Sequence, residues 1–306
     1  MSTISKIKNI ELTKYSLVRV CEAGNTLEVK YLQHCNNKAT VRKINNDLYM
    51  KVRTGEVFEY ERKDFECNRT DNISNVKRSL ACLRRIINNN VIDVNKARWL
   101  TLTYKENMKD TKRLYTDVDK FIKRFRYYCE KQGYGPFEYI NVIEPQGRGA
   151  WHCHMIPIFN DNAPFIPNNV LEKLWGHGFV KIKALDENID NIGAYLSAYL
   201  SDIPFDDAKS LDLLHPSVTS ENLGGDFVKD VNGKKYLKGL RMVLYPTKTN
   251  IYRCSRGIKK PPVTAMTEGE CANIRGSARL TFESTIQIQD NDFSNIINTR
   301  YYNLKR

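Results

Sequence analysis

Apolar positions along the 306-residue chain change their period several times, and each change predicts an element. Up to about residue 68, short segments rich in strand-forming residues and broken by glycine (VRVCEAG, LEVKYLQ, DLYMKVRTGEVFEYE) predict a β-rich preface. Over residues 71–90, Ile73, Val76, Leu80, Leu83, Ile86 and Ile87 recur at helical spacing, with Asp71 or Ser74 able to cap the start. ARWLTLTY, residues 97–104, predicts a strand with Thr101 and Thr103 on one face and Leu100 and Leu102 on the other. Leu114, Val118, Phe121, Ile122, Phe125 and Cys129 form the apolar stripe of a helix over 114–132, ended by Gly133, Gly135 and Pro136. Residues 139–159, YINVIEPQGRGAWHCHMIPIF, are two apolar runs around a turn at Pro145, Gly147 and Gly149, which predicts a β-hairpin. A short helix over 167–175, a strand over 178–183 and a helix over 188–201 follow. A hairpin inside such a series predicts an α+β fold, an antiparallel or mixed sheet with helices packed on one face. The predicted division is an N-terminal β-rich extension (1–70), a central α+β domain (71–205) and a basic C-terminal region (206–306).

The hairpin carries candidate chemistry. Side chains two apart on a strand share a face, so His152 and His154 project together and Cys153 points away. Glu144 ends the partner strand, within reach across the turn. Two imidazoles and a carboxylate on adjacent strands suit a three-ligand metal site with open positions, although a His-x-His pair taken alone is usually incidental. His34, Cys35 and Cys21 fit no metal-ligand spacing and are expected to include two buried thiols.

Charge changes the picture next. The formal net charge is +13, and a surface of that sign attracts polyanions, nucleic acid or an anionic membrane. Residues 229–260 hold ten Lys or Arg against the single acid Asp230, with Tyr236, Tyr245 and Tyr252 among them. Such interleaving suits a phosphate backbone with exposed bases, and it is equally that of a solvated segment whose tyrosines fill a local core. No basic amphipathic helix and no apolar run of membrane-spanning length is present, which favours nucleic acid over membrane. The first residues lack a continuous apolar signal core, and the eight cysteines include no C-x-x-C pair, so a cytoplasmic protein with reduced thiols is expected. No G-x-x-x-x-G-K-[ST] phosphate loop occurs; Gly233-Lys234-Lys235 lacks both the leading glycine and the hydroxyl residue.

The helix over 188–201 contains GAYLSAYLSD, which puts the hydroxyls of Tyr195 and Tyr199 on one helical face. A pair of half-buried aromatics would look the same. A tyrosine hydroxyl titrates near 10 and needs activation to act as a nucleophile. Beside a divalent cation that polarises a phosphoryl group, a tyrosinate can attack phosphorus, leaving a 5′-phosphotyrosine bond and a free 3′-hydroxyl.

Taken in order, these segments resemble the HUH endonucleases, and within them the rolling-circle replication initiators of plasmids and phages. ARWLTLTY resembles the first motif, WHCHMIPI the two-histidine motif, and GAYLSAYLSD the two-tyrosine motif. EPQGRGAWHCH resembles the family's glutamate before the histidines, which implies that Glu144 joins His152 and His154 as a metal ligand and that Tyr195 and Tyr199 are the nucleophiles. YMKVRTGEVFEYER, SLACLRRIINNN and NIYRCSRGIKKPP resemble further segments of initiators from Gram-positive plasmids and mobile elements. The family often has lysine three residues after each tyrosine, where this chain has Ala198 and Asp202; Lys181 and Lys183 are candidates to supply that charge. The resemblance implies a ferredoxin- or RRM-like antiparallel sheet of about five strands, histidines on a central one, with flanking helices. It implies Mg²⁺ or Mn²⁺, although the ligand set also suits Zn²⁺ or Fe²⁺. Origin DNA in single-stranded form is the expected partner, contacted by Arg148, Lys181, Lys183, Arg253, Arg256, Lys259 and Lys260, with a host helicase and polymerase acting alongside. A transposase or relaxase on the same scaffold, with His177 mimicking a third clustered histidine, and a non-catalytic DNA-binding regulator are the alternatives.

Overall fold

The structure is a computed structural model that describes residues 3–35, 41–45, 47–60, 69–147, 149–215, 217–218, 227–246, 249–290 and 293–305. The chain divides into two compact units. One comprises residues 1–20, 28–67 and 264–302, the other residues 21–27, 68–263 and 303–306. The boundaries thus fall at 67/68 and 263/264, where the pattern of the sequence suggested 70 and 205. Residues 206–263 continue the larger unit, and the chain from 264 joins the N-terminal strands.

The larger unit is built on a five-stranded sheet in the order Val180–Ala184, Arg98–Thr103, Trp151–Phe159, Phe137–Pro145, Tyr252–Cys254. Every neighbouring pair is antiparallel. The histidine-bearing strand Trp151–Phe159 is central, and the hairpin pairs Glu144 with His152 and Val142 with His154. The period of two sorts the side chains. Leu100, Leu102, Cys153, Met155 and Ile143 occupy one face and are buried. Helix α2 (Thr111–Lys131) covers that face with the apolar stripe expected for it; Phe125 meets Phe137 at 4.8 Å between ring centroids. Asp110 caps α2 by accepting from the N–H groups of Lys112 and Arg113. Helix α3 (Asn168–Trp175) packs against α2, with Trp175 edge-on to Phe121.

Helix α1 (Arg69–Asn90) and helix α4 (Ile192–Ser201) pack against each other in the same unit. The residues at the first turn of α1, Asp71 among them, have no described side chains, so the expected cap there lies outside the described residues. Asn191 caps α4 through the Ala194 N–H, and Asn88 of α1 accepts from Gly193 N at 2.7 Å while donating to Asn191 Oδ1 at 2.9 Å. Tyr252, on the sheet face opposite α2, meets Cys82 of α1. Helices therefore flank both faces of the sheet, because α1 and α4 each bear an apolar stripe that one face cannot accommodate together with α2 and α3. Gly193 makes the α1–α4 approach possible: a Cβ there would lie 2.3 Å from the Arg84 carbonyl oxygen. Gly193→Ala is expected to lower stability by ~1–3 kcal/mol, read as a lower urea midpoint, whereas Ala194→Gly should cost only the ordinary helix propensity.

After α4, strands Ile203–Pro204, Lys234–Leu237 and Val228–Val231 form a small antiparallel sheet. A 3-10 turn, Leu240–Leu244, then leads towards the edge strand Tyr252–Cys254. In the other unit a six-stranded sheet runs Thr3–Ile7, Arg279–Asp290, Phe293–Asn303, Thr26–Leu32, Leu17–Ala23, Thr264–Thr267. The last forty residues, without a clear sequence signal, supply its two longest strands. Cys21 is buried as expected, whereas Cys35 is exposed, and the seven described cysteines are free thiols. No helix among the described residues is long and apolar enough to cross a membrane.

Candidate functional site

Glu144, His152 and His154 share the sheet face that also carries Trp99, Thr101 and Thr103, because directly paired residues project to the same side. Glu144 and His154 are buried, and the Glu144 carboxylate accepts from His154 Nε2 in a direct contact. Thr101 Oγ1 lies 3.1 Å from His154 Nδ1, and Trp99 stacks on the imidazole at 4.7 Å between centroids. His152 Nδ1 is 2.9 Å from Gln146 Nε2, and the two imidazoles stand edge to face, 6.3 Å apart. Cys153 points to the other face, where burial pushes its thiol up to about 12.

The other oxygen of Glu144 is held by a residue the motifs do not contain. Arg241 Nη1 approaches Glu144 Oε1 at 2.6 Å and donates to the Pro145 carbonyl at 2.8 Å; its Nε donates to the Asp202 carbonyl at 2.8 Å. Burial opposes ionisation of Glu144, but the His154 contact and the Arg241 guanidinium outweigh it and hold the carboxyl below its usual range. Arg241 is itself buried. Tyr245 adds a second tie, its hydroxyl lying 3.2 Å from the Ile143 carbonyl and 3.1 Å from the Leu200 carbonyl.

These two side chains join the hairpin to the tyrosine helix. Asp202 is the C-cap of α4, and its carboxylate accepts from Gly239 N and Ser201 Oγ, each at 2.9 Å. Asp202, standing where lysine is frequent in the resembling family, therefore serves as an anchor for the turn that carries Arg241. On α4, Leu196 and Leu200 are buried, while Tyr195 and Tyr199 are 43% and 47% exposed, so both rings face solvent as a nucleophile must. Their hydroxyls lie 2.8 Å apart. Burial first, then the bond to Tyr195, push the Tyr199 hydroxyl up to about 12. Attack by Tyr199 without prior activation is disfavoured on that ground.

The basic residues divide. Lys181 and Lys183 are exposed on the edge strand, opposite Thr101 and Trp99, and share the face of the histidines. Arg253 pairs with Asn141 and lies on the α2 face, where its guanidinium stacks on Tyr115 at 3.7 Å and meets Asp119 at 3.5 Å. The alternation of the edge strand turns it away from the histidines. Arg256, Lys259 and Lys260 are exposed but follow the opposite edge of the sheet, and the Lys259 backbone is fastened to Asn89 and Asn90 of α1. Arg148 lies outside the described residues. Tyr245 is buried and Tyr252 partly so, which gives them to the core of the unit instead of to exposed bases. His177 packs on Tyr104 and Trp175 and faces Asp117 at 3.6 Å, away from the other two histidines.

The donor chemistry of Glu144, His152 and His154 fits a divalent cation. Each imidazole has its Nδ1 engaged by a neighbouring side chain, the arrangement that orients ligand histidines. The direct Glu144–His154 contact puts a proton where a cation would lie, and among the described residues no three His, Cys, Asp or Glu are arranged to hold one.

The fold and site together define an α+β protein with a His-x-His hairpin at the centre of its sheet and a two-tyrosine helix tied to it. Residues 97–203 match a family model described as a replication-associated protein of the ORF2 type. The matched segment begins at the Thr101 strand and ends just past α4, so it includes Glu144, both histidines and both tyrosines, and it stops short of Arg241 and Tyr245. No curated protein and no solved structure gives a match. The family match supports a replication initiator of the Rep type.

Proposed function

We propose that this chain initiates rolling-circle replication by nicking and rejoining one DNA strand through a 5′-phosphotyrosine intermediate. The observation that carries the proposal is the pair of ties from Arg241 and Tyr245, which couples the end of the tyrosine helix to the end of the Glu144 strand. Two constellations some forty residues apart in sequence thereby become one site.

Glu144, His152 and His154 would hold Mg²⁺ or Mn²⁺, and the bound ion would polarise the scissile phosphate and neutralise developing charge. The hydroxyl oxygen of Tyr195 forms a bond to phosphorus as the bond from phosphorus to the 3′-oxygen breaks. The tyrosine proton is lost and the 3′-oxygen gains one, so the products are a 5′-phosphotyrosine and a 3′-hydroxyl. Rejoining is the same exchange in reverse. Tyr199, hydrogen-bonded to Tyr195, is positioned to make the second transfer. Lys181 and Lys183, on the same face, would contact phosphates. A separate helicase would open the duplex and a polymerase would extend the 3′-end.

A short single-stranded oligonucleotide carrying the replication origin, incubated with Mn²⁺, is expected to be cut at one position; EDTA and His154→Ala should each abolish cutting while leaving DNA affinity within about threefold. Binding without cutting at any metal concentration would leave only the DNA-binding regulator.

A further inference from the structure

The edge of the sheet carries an exposed aromatic that no motif includes. Phe179 is 64% exposed, while the next residue, Val180, is buried. Exposure alone decides nothing, since Phe165 is 82% exposed. The register is what distinguishes Phe179. Val180 pairs with Leu102, so Phe179 stands opposite Thr103, whose N–H donates to the Phe179 carbonyl at 2.9 Å. Thr103 pairs with His152, and His152 with Glu144. Phe179, Thr103, His152 and Glu144 therefore form one row across a single face of the sheet. With strands about 4.8 Å apart, Phe179 sits ~10 Å from the His152 strand. Lys181 and Lys183 continue along the same edge and on the same face, in the rows of His154 and Trp99.

The support beneath Phe179 is rigid. Gly178 runs so close to the neighbouring strand that a Cβ would lie 2.5 Å from the Thr103 carbonyl oxygen and 2.6 Å from Lys105 N. Lys105 N donates to the His177 carbonyl at 2.9 Å, and Trp175 Nε1 donates to the Thr103 carbonyl at 3.0 Å. An apolar ring held in water on a fixed backbone, with cations at alternate positions beside it, has the composition of a single-strand platform: stacking for a base, ammonium groups for the phosphates.

We propose that Phe179 is a base-stacking platform for the single DNA strand, with Lys181 and Lys183 as the phosphate contacts that lead the strand along this edge to the histidine row. The proposal rests on the functional reading above for its choice of single-stranded DNA, and it deepens that reading by naming the track.

The test is fluorescence anisotropy of the full chain in EDTA with two probes, a twenty-nucleotide oligothymidine and an abasic strand of equal length. The wild-type protein should prefer the strand with bases. Phe179→Ala should weaken oligothymidine binding about ten-fold or more, as loss of a stacked base predicts. Its affinity for the abasic strand should stay the same. Phe179→Trp should keep the preference, which separates stacking from damage to the fold. Lys181→Gln with Lys183→Gln should leave the preference and reduce the slope of log affinity against log salt by about 1.4. Equal losses on both probes for Phe179→Ala, or no loss on either, would overturn the proposal. The assay runs without cleavage, so its outcome is independent of whether the tyrosines form an adduct.

Discussion

Arg241→Leu is expected to remove ~3–5 kcal/mol of stability, because it leaves the buried Glu144 carboxylate with one of its two partners gone. The same change frees the carbonyls of Pro145 and Asp202, which are acceptors for the guanidinium. A urea unfolding curve measures the loss. The double variant Arg241→Leu with Glu144→Gln should recover part of it, since the unpaired charge is then absent. Arg241→Lys is a stringent control: one ammonium cannot reach three acceptors in the geometry of a planar fork, so it should rescue only in part. Under conditions where Arg241→Leu is still folded, nicking should fall more than DNA affinity does. The role assigned to Arg241 is to set where the tyrosine helix stands relative to Glu144, without touching DNA.

The larger effect on activity is expected from the tyrosines. Tyr195→Phe with Tyr199→Phe removes both hydroxyls from the face of α4 that points to solvent and leaves Leu196 and Leu200 in the core, so stability should change by less than ~1 kcal/mol. Covalent attachment to DNA should nevertheless disappear, because no other residue of the helix offers an exposed nucleophile beside the hairpin. Tyr199→Phe alone should leave the first attachment, because burial and the bond from Tyr195 make the Tyr199 hydroxyl the harder one to ionise. Tyr195→Phe alone should slow attachment strongly and still leave a measurable trace through Tyr199.

Local chemistry was legible in the chain. The period-two pattern of WHCHMIPI put both histidines on one face and Cys153 on the other, and the hairpin register brought Glu144 opposite His152. The stripes of α2 and α4 were equally plain, since amphipathic periodicity needs no knowledge of partners. What the chain concealed is non-local. Arg241 lies within an otherwise apolar run, LKGLRMVLY, and a charge in such a run is a sign of a buried partner. Which partner it finds, Glu144 and two carbonyls from either end of the site, depends on how the turn after α4 folds back. The alternation of Tyr252–Cys254 likewise decided that Arg253 turns to α2, and composition alone could not foresee it. The strands after residue 278 pair with the N-terminal strands across most of the chain's length, a contact with no local signature.

The central claim is that a hydroxyl on α4 attacks a phosphorus presented at the Glu144 hairpin. It is tested most directly by trapping the attachment with an origin oligonucleotide labelled on the 3′ side of the nick, in Mn²⁺, followed by peptide mapping of the adduct. The predicted result is a covalent species whose label maps to the peptide containing Tyr195 and Tyr199 and is absent from the double phenylalanine variant. An adduct on any other residue, a hydrolytic cut with no adduct, or an undiminished adduct in the double variant would contradict it.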